Sequence, residues 1–367
     1  MSSNKRNRQS NIELLRIITI IGVIVLHINM PGMGNAMSLV EAGSSKAYIL
    51  YLLETVFICA VDMFMLISGY FLYGKEKRDL WKPIALIVQV ILFAEGLYII
   101  HKIASAEPVT VKAMLHLLIP ANYFVILYCT VYLISPFINI LLKNMSEKSC
   151  RLLIVLSIML FSIYPTAVDL LGEFDGISYV GLSSIGAFGS QWGYNIVNFS
   201  LMYLVGACLN KYKEKTDSIS TRKFAAALVV CVAVLMLWAV VNDRVGYSTV
   251  RSAWEYCNPL VIAESAIIFV LFQRIRIGTS PVINSLSKCC FTVYLLNETL
   301  LHFIPVGDIV SKSAPVMLLL VLGSATAAFL AAWVVHFLYA AITDPIFNIL
   351  KKVWKLPVLE AEFSEKG

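Results

Sequence analysis

Apolar runs about as long as a bilayer is thick recur along this chain from Ile12 onward, and they leave little choice of fold. A helix needs ~20 apolar residues to cross a hydrocarbon core of ~30 Å. In lipid every backbone polar group must also be satisfied within the crossing segment. Runs of that kind read as helices over 12–30, 47–73, 80–101, 121–142, 151–170, 192–210, 224–242, 256–273, 289–306 and 314–341. The expected fold is all-α, a polytopic integral membrane bundle of about ten transmembrane helices. Composition agrees, with 59% hydrophobic and 14% charged residues, where a soluble protein carries about 25% charged.

The basic residues test this span count independently. With the N-terminus placed in the cytoplasm, 22 of the 29 Lys and Arg fall in inner segments, six fall outside and Arg16 lies within a span. The positive-inside rule demands such a bias of a correct count, and one surplus or missing helix would scramble it. Both termini are then expected to be cytoplasmic. The net charge of +6 is accounted for by membrane orientation and calls for no nucleic-acid partner.

The chain reads as one transmembrane domain over 1–367, with cytoplasmic tails at 1–11 and 342–367. No small-residue cleavage site follows the first apolar run, so that helix is expected to be retained. The eight cysteines fall mostly within spans or at their inner ends, without a Cys-x-x-Cys pair, so neither a disulfide framework nor a zinc site is indicated.

Arg16 and His27 share the first run, IELLRIITIIGVIVLHINM. Eleven helical steps return two side chains to within ~20° of one another and separate them by ~16 Å along the axis. A guanidinium costs about 2.5–3.5 kcal/mol at the centre of a membrane helix, so this face should look inward to a polar cavity. Glu13, three residues earlier, is placed to pair with Arg16.

The stretch Asn11-Ile12-Glu13-Leu14-Leu15-Arg16 followed by His27 resembles the Arg-x10-His signature that opens the membrane acyltransferase 3 family. Further segments agree in order: Val61 to Tyr70, with its Phe64 and Ser68-Gly69-Tyr70; Ile119 to Phe124, continuing through Leu133-Ile134-Ser135-Pro136-Phe137; and Phe199 to Ala207, with Tyr203-Leu204-Val205-Gly206. Three positions depart from the family pattern. Tyr294-Leu295-Leu296-Asn297 replaces Tyr-Leu-x-His, so a second helical histidine is missing. Lys82 stands before Pro83 where relatives carry Arg, and Tyr123 stands where they carry Trp.

The resemblance implies an integral-membrane O-acyltransferase that uses acyl-coenzyme A, probed most simply as acetyl-coenzyme A, and holds no permanent cofactor. The acceptor it implies is a hydroxyl of a cell-surface polysaccharide or lipid-linked glycan. The setting is the bacterial cytoplasmic membrane, among membrane lipids and proteins of envelope polysaccharide synthesis. Acyl transfer to a hydroxyl needs a base, and histidine is the usual choice, which makes His27 the candidate. Asp62, in mid-helix, is either its cavity-facing partner or a structural hydrogen-bonding group. Arg16, Glu13, Ser68, Arg78 and Lys82 form the candidate acyl-coenzyme A set, with Lys75 and Lys77 nearby. Each has a plainer role open to it: Arg16 as an anchor snorkelling to the headgroups, Ser68-Gly69 as a close-packing step, and the basic run as a topology signal. His101, His116, His302 and His336 read as structural. Two other classes stay open, a transporter similar to the amino-acid-uptake modules of related type and a non-catalytic envelope assembly protein.

Overall fold

The computed structural model of the chain describes residues 8–175, 180–245 and 250–361. It is almost wholly helical: α1 (Ser10–Asn29), α2 (Ser45–Phe57), α3 (Ala60–Leu72), α4 (Trp81–Ala104), α5 (Val111–Leu117), α6 (Tyr123–Asn144), α7 (Glu147–Ile158), α8 (Tyr164–Asp175), α9 (Ile196–Lys211), α10 (Lys213–Ser218), α11 (Thr221–Arg244), α12 (Pro259–Gln273), α13 (Pro281–Leu286), α14 (Cys290–Leu301), α15 (Val306–Ser311) and α16 (Ala314–Val353). Short polar residues set many of the starts. Ser44, Asn122, Asn195 and Asn258 each accept a backbone N–H of the first turn on their side-chain oxygen, the usual remedy for unpaired N-terminal amides.

Among the described residues eight helices are long and apolar enough to cross a membrane. The runs expected at 192–210 and 289–306 form shorter helices, α9 of 16 residues and α14 of 12. The second run is a broken helix, α2 and α3 meeting at Ile58 and Cys59. The last helix, expected to end at 341, continues to Val353 through Pro345. Lys351 and Lys352 occupy its final turn, where cations favour the negative end of the helix dipole. The segment expected as a tail also contributes Val358–Glu360, which pairs antiparallel with Lys77–Asp79. The outermost parts of both expected tails, 1–7 and 362–367, lie outside the described residues, as do parts of the loops at 171–191 and 243–253.

The chain forms two compact units, one of residues 1–73 and 147–337, the other of residues 74–146 and 338–367. In the first, α1 packs against α2, α3, α12 and α14 and buries Ile12, Leu15, Ile20, Ile24 and Ile28. By contrast α11 exposes Val229, Val230, Val234 and Leu237, an apolar face suited to lipid. Glycine lets α3 and α9 touch. A Cβ on Gly69 would stand 2.1 Å from the Tyr203 carbonyl oxygen, and one on Gly206 2.0 Å from that of Leu66. Only residues without a side chain permit backbones that close.

In the second unit, Pro136 lies inside α6 and offers no N–H to the Tyr132 carbonyl four residues earlier. The Ser135 hydroxyl supplies that missing donor, bonding Tyr132 O at 2.6 Å. The Ser-Pro step is thus locally self-satisfied.

Candidate functional site

The first helix is anchored at both ends, and the anchors set the depth of Arg16 and His27. At its start Ser10, fully buried, donates to Oδ1 of Asn284 at 3.0 Å and accepts the Ser280 N–H at 2.7 Å. Asn11 donates to the carbonyls of Phe272 and Gln273, closing the free end of α12. At the other end the chain folds back, and the Gly34 N–H bonds the His27 carbonyl at 2.9 Å. A Cβ on Gly34 would lie 2.3 Å from the Ile28 carbonyl oxygen, so glycine is required for this return. Asn29, buried beside it, donates to Glu54 Oε2 at 3.1 Å and to the Leu50 carbonyl at 3.3 Å.

Between these anchors His27 is half-buried, and its Nδ1 is hydrogen-bonded to Oδ1 of Asn297 on α14. Asn297 is 1% exposed and donates from Nδ2 to the Tyr294 carbonyl of its own helix. Arg16 is half-buried as well. Its Nε is buried without a hydrogen-bond partner among the described residues. Cys290, the first residue of α14, lies within electrostatic reach of Arg16 and Glu13. The helices α1 and α14 therefore run side by side in the same direction, Arg16 near the start of α14 and His27 three turns further along α1 at Asn297.

The other expected site residues take varied places. Glu13 is ion-paired to Arg8 at 3.9 Å, and Arg16 makes no ion pair among the described residues. Asp62 is 2% exposed on α3 and its Oδ1 accepts from Asn198 Nδ2 on α9 at 2.9 Å, while Oδ2 has no partner among the described residues. His27 and Asp62 are thus each held by a different asparagine. The Ser68 hydroxyl donates to the Phe64 carbonyl one turn back at 2.9 Å, which is the local back-bond of a serine within a helix.

Arg78 and Lys82 belong to the second unit. Arg78 is 1% exposed there. Its Nε donates to Ser135 Oγ at 2.7 Å, its Nη1 to the carbonyls of Lys75 and Lys77, and the guanidinium lies 5.6 Å from the Tyr132 ring centre. Those bonds engage it in the turn before α4. Lys82 is exposed, bonds the Tyr128 hydroxyl at 2.6 Å and lies over the rings of Tyr128 and Tyr132. His336 lies within α16, bonded through Nδ1 to the Thr292 hydroxyl at 2.8 Å. Among the described residues no cluster of three His, Cys, Asp or Glu side chains is placed to hold a metal ion.

Two residues that sequence reasoning did not place in the site emerge as direct partners, Asn297 and Asn198. For Asn297 a signal was present, since it occupies the position where the family pattern has a histidine. For Asn198 there was none.

Neither a curated protein nor a solved structure matches the chain. The sequence model of the acyltransferase domain, acyltransferase 3, matches residues 9–338, a stretch that holds Arg16, His27 and Asn297 and runs through both units. The chain belongs to that acyltransferase family: it is a membrane protein and an enzyme that transfers acyl groups other than aminoacyl groups.

Proposed function

We propose that the enzyme is an O-acyltransferase that moves an acyl group, with acetyl the simplest case, from acyl-coenzyme A in the cytoplasm to a hydroxyl of a cell-surface polysaccharide or lipid-linked glycan. In this reading the chain crosses the bacterial cytoplasmic membrane about ten times with both ends inside, and α9 and α14 complete the count. The observation that carries it is the face of α1 on which a cation without an ion-pair partner among the described residues and a side-chain-anchored imidazole stand ~16 Å apart. Arg16 engages donor phosphate through charge-assisted hydrogen bonds, and the extended pantetheine arm runs along the α1 and α14 faces to bring the thioester to His27.

His27 takes the proton of the acceptor hydroxyl as its oxygen bonds to the thioester carbonyl carbon. The carbon–sulfur bond then breaks, and the proton passes from the imidazolium to the leaving thiolate. The products are an ester and free coenzyme A. Asp62 supports this site through α3 and α9.

The deciding experiment is His27→Ala in purified full-length enzyme. It is expected to keep its expression and its acetyl-coenzyme A binding while acyl transfer falls by roughly 10²–10⁴-fold, the usual contribution of a positioned acid–base group. Wild-type transfer by this variant would remove His27 from the chemistry. A transport reading is favoured by one observation, the fully buried Glu264 on α12 whose two oxygens have no partner among the described residues, as buried acids in spans often mark ion routes. Solute flux in proteoliposomes without any acyl donor would support it.

A further inference from the structure

We infer that Asn297 is a positioning residue that holds His27 in one tautomer, with hydrogen on Nδ1 and the lone pair on Nε2, so that Nε2 is the nitrogen that receives the acceptor's proton. This deepens the acyltransferase reading of the site and rests on it.

The assignment follows from a closed chain of donors and acceptors. The Tyr294 carbonyl can only accept, so Asn297 must turn its NH2 toward it. The amide oxygen then faces His27, and it too can only accept. The bond between them therefore needs a hydrogen on Nδ1. Turning the amide over would set its oxygen against the Tyr294 carbonyl. At 1% exposure Asn297 has little water available to repair that loss, since buried polar groups depend on protein partners. Tyr294 and Asn297 sit one turn apart on a single helix, so the orientation is built into α14 rather than left to a loop.

An amide orients an imidazole without adding charge. The charged groups on the elements packed against α1 are Lys46 and Glu54 on α2, Asp62 on α3, Glu264 on α12, Lys288 in the turn before α14, and Glu298 on α14, with Arg16 and Glu13 on α1 itself; Lys46 bonds the Val310 carbonyl. Glu54 is engaged by Asn29 and Asp62 by Asn198. Glu298 follows Asn297 on α14 and is exposed. Asn297 thus fixes direction and tautomer while leaving the imidazole free to return its proton to the leaving thiolate. A carboxylate at the same place would hold that proton more firmly, because an opposite charge favours the imidazolium form.

The test uses the full-length enzyme with acetyl-coenzyme A and measures kcat and KM against pH in Asn297→Leu and Asn297→Asp. Asn297→Leu is expected to lower kcat by about 10- to 100-fold, in the range for loss of a group that orients a histidine, with the KM for acetyl-coenzyme A unchanged. Asn297→Asp keeps an accepting oxygen, so it is expected to retain most of the rate at high pH and to move the rising limb of the profile to higher pH by about one unit. A third readout needs no activity: the 15N spectrum of His27, identified by its loss in His27→Gln, should show a protonated Nδ1 in the wild type.

An unchanged kcat and pH limb in Asn297→Leu would overturn the inference, as would a wild-type His27 protonated on Nε2. If Asn297→Leu does not fold, Asn297→Asp and the wild-type spectrum decide the matter. The two readings fail separately. Full transfer by His27→Ala removes the base itself, whereas an inactive His27→Ala beside normal Asn297 variants removes only the positioning role.

Discussion

Asn198 on α9 reaches Asp62 on α3 with a hydrogen bond of 2.9 Å between two side chains that are both withdrawn from solvent. The bond links two helices whose backbones approach closely at Gly69 and Gly206. Asn198→Leu should leave the Asp62 carboxyl with no partner and lower stability by about 1–3 kcal/mol, the penalty for orphaning a buried polar group. Thermal unfolding in detergent would read this. The double variant Asn198→Leu with Asp62→Leu should recover part of the loss, because neither half of the pair is then left buried without the other. Equal stability of Asn198→Leu and wild type would show that the bond contributes nothing.

Gly69 and Gly206 should refuse even a methyl group. A Cβ at 2.0–2.1 Å from a backbone oxygen is far inside contact distance, and helix backbones cannot yield as a flexible side chain can. Gly69→Ala and Gly206→Ala are each expected to cost at least the 1–3 kcal/mol typical of overpacking. Gly96 on α4, with open space where its Cβ would point, is the control. Gly96→Ala should be neutral or stabilising by about 0.5–1 kcal/mol. Size-exclusion profiles of tagged variants would separate the two classes, and well-folded Gly206→Ala would contradict the packing of α3 on α9.

Cys150 and Cys208 place their sulfur atoms 3.5 Å apart, joining the first turn of α7 to the last turn of α9. A disulfide needs ~2.05 Å between sulfurs, so a small adjustment suffices. Copper–phenanthroline should crosslink the pair in the native protein, and mass spectrometry should find the joined peptides. Their absence, with both thiols shown to react after unfolding, would argue against this neighbouring of α7 and α9.

The eight long apolar helices were legible in the sequence because membrane burial acts on every residue of a run, and twenty apolar residues leave few alternatives. The shared face of Arg16 and His27 was legible for a similar reason, since helical periodicity is local. What stayed hidden depends on partners distant along the chain. Asn198 and Asp62 are 136 positions apart, and His27 and Asn297 are 270 apart. Nothing in the sequence announces the first pair, and for the second the only hint is that Asn297 stands where the family pattern has a histidine. The break at Ile58 and Cys59 was masked by an unbroken apolar run. Thr343-Asp344-Pro345 has the look of a helix end, yet a proline within a membrane helix is tolerated where neighbours satisfy the freed groups, and α16 runs on. The roles of Arg78 and Glu13 could not be read from charge alone. Burial and nearby carbonyls engaged the first, and Arg8 engaged the second.

Arg16→Ala should weaken acyl-coenzyme A binding by about 1.5–3 kcal/mol, the range for hydrogen bonds to a charged group. Arg16→Lys should recover only part of this, because an ammonium cannot present the planar fork of a guanidinium to a phosphate. Calorimetry on purified protein would measure both. Unchanged affinity in Arg16→Ala would reduce Arg16 to an anchor at the membrane surface.

Delivery across the membrane is the strictest consequence of the spacing on α1. If the N-terminus is cytoplasmic, reporter fusions or cysteine labelling should place residues 75–79, 143–148 and 211–222 inside and 171–191 and 243–253 outside, as the basic residues demand. His27 then stands ~16 Å further toward the outer face than Arg16. Acetyl-coenzyme A carrying a radiolabelled acetyl group and sealed inside vesicles should therefore label acceptor hydroxyls supplied only outside, and His27→Ala vesicles should not. Label confined to acceptors on the donor side would refute passage along α1 while leaving the acyltransferase intact. Residues 211–222 found outside would overturn the span count, and with it the depth of His27 on which the experiment depends.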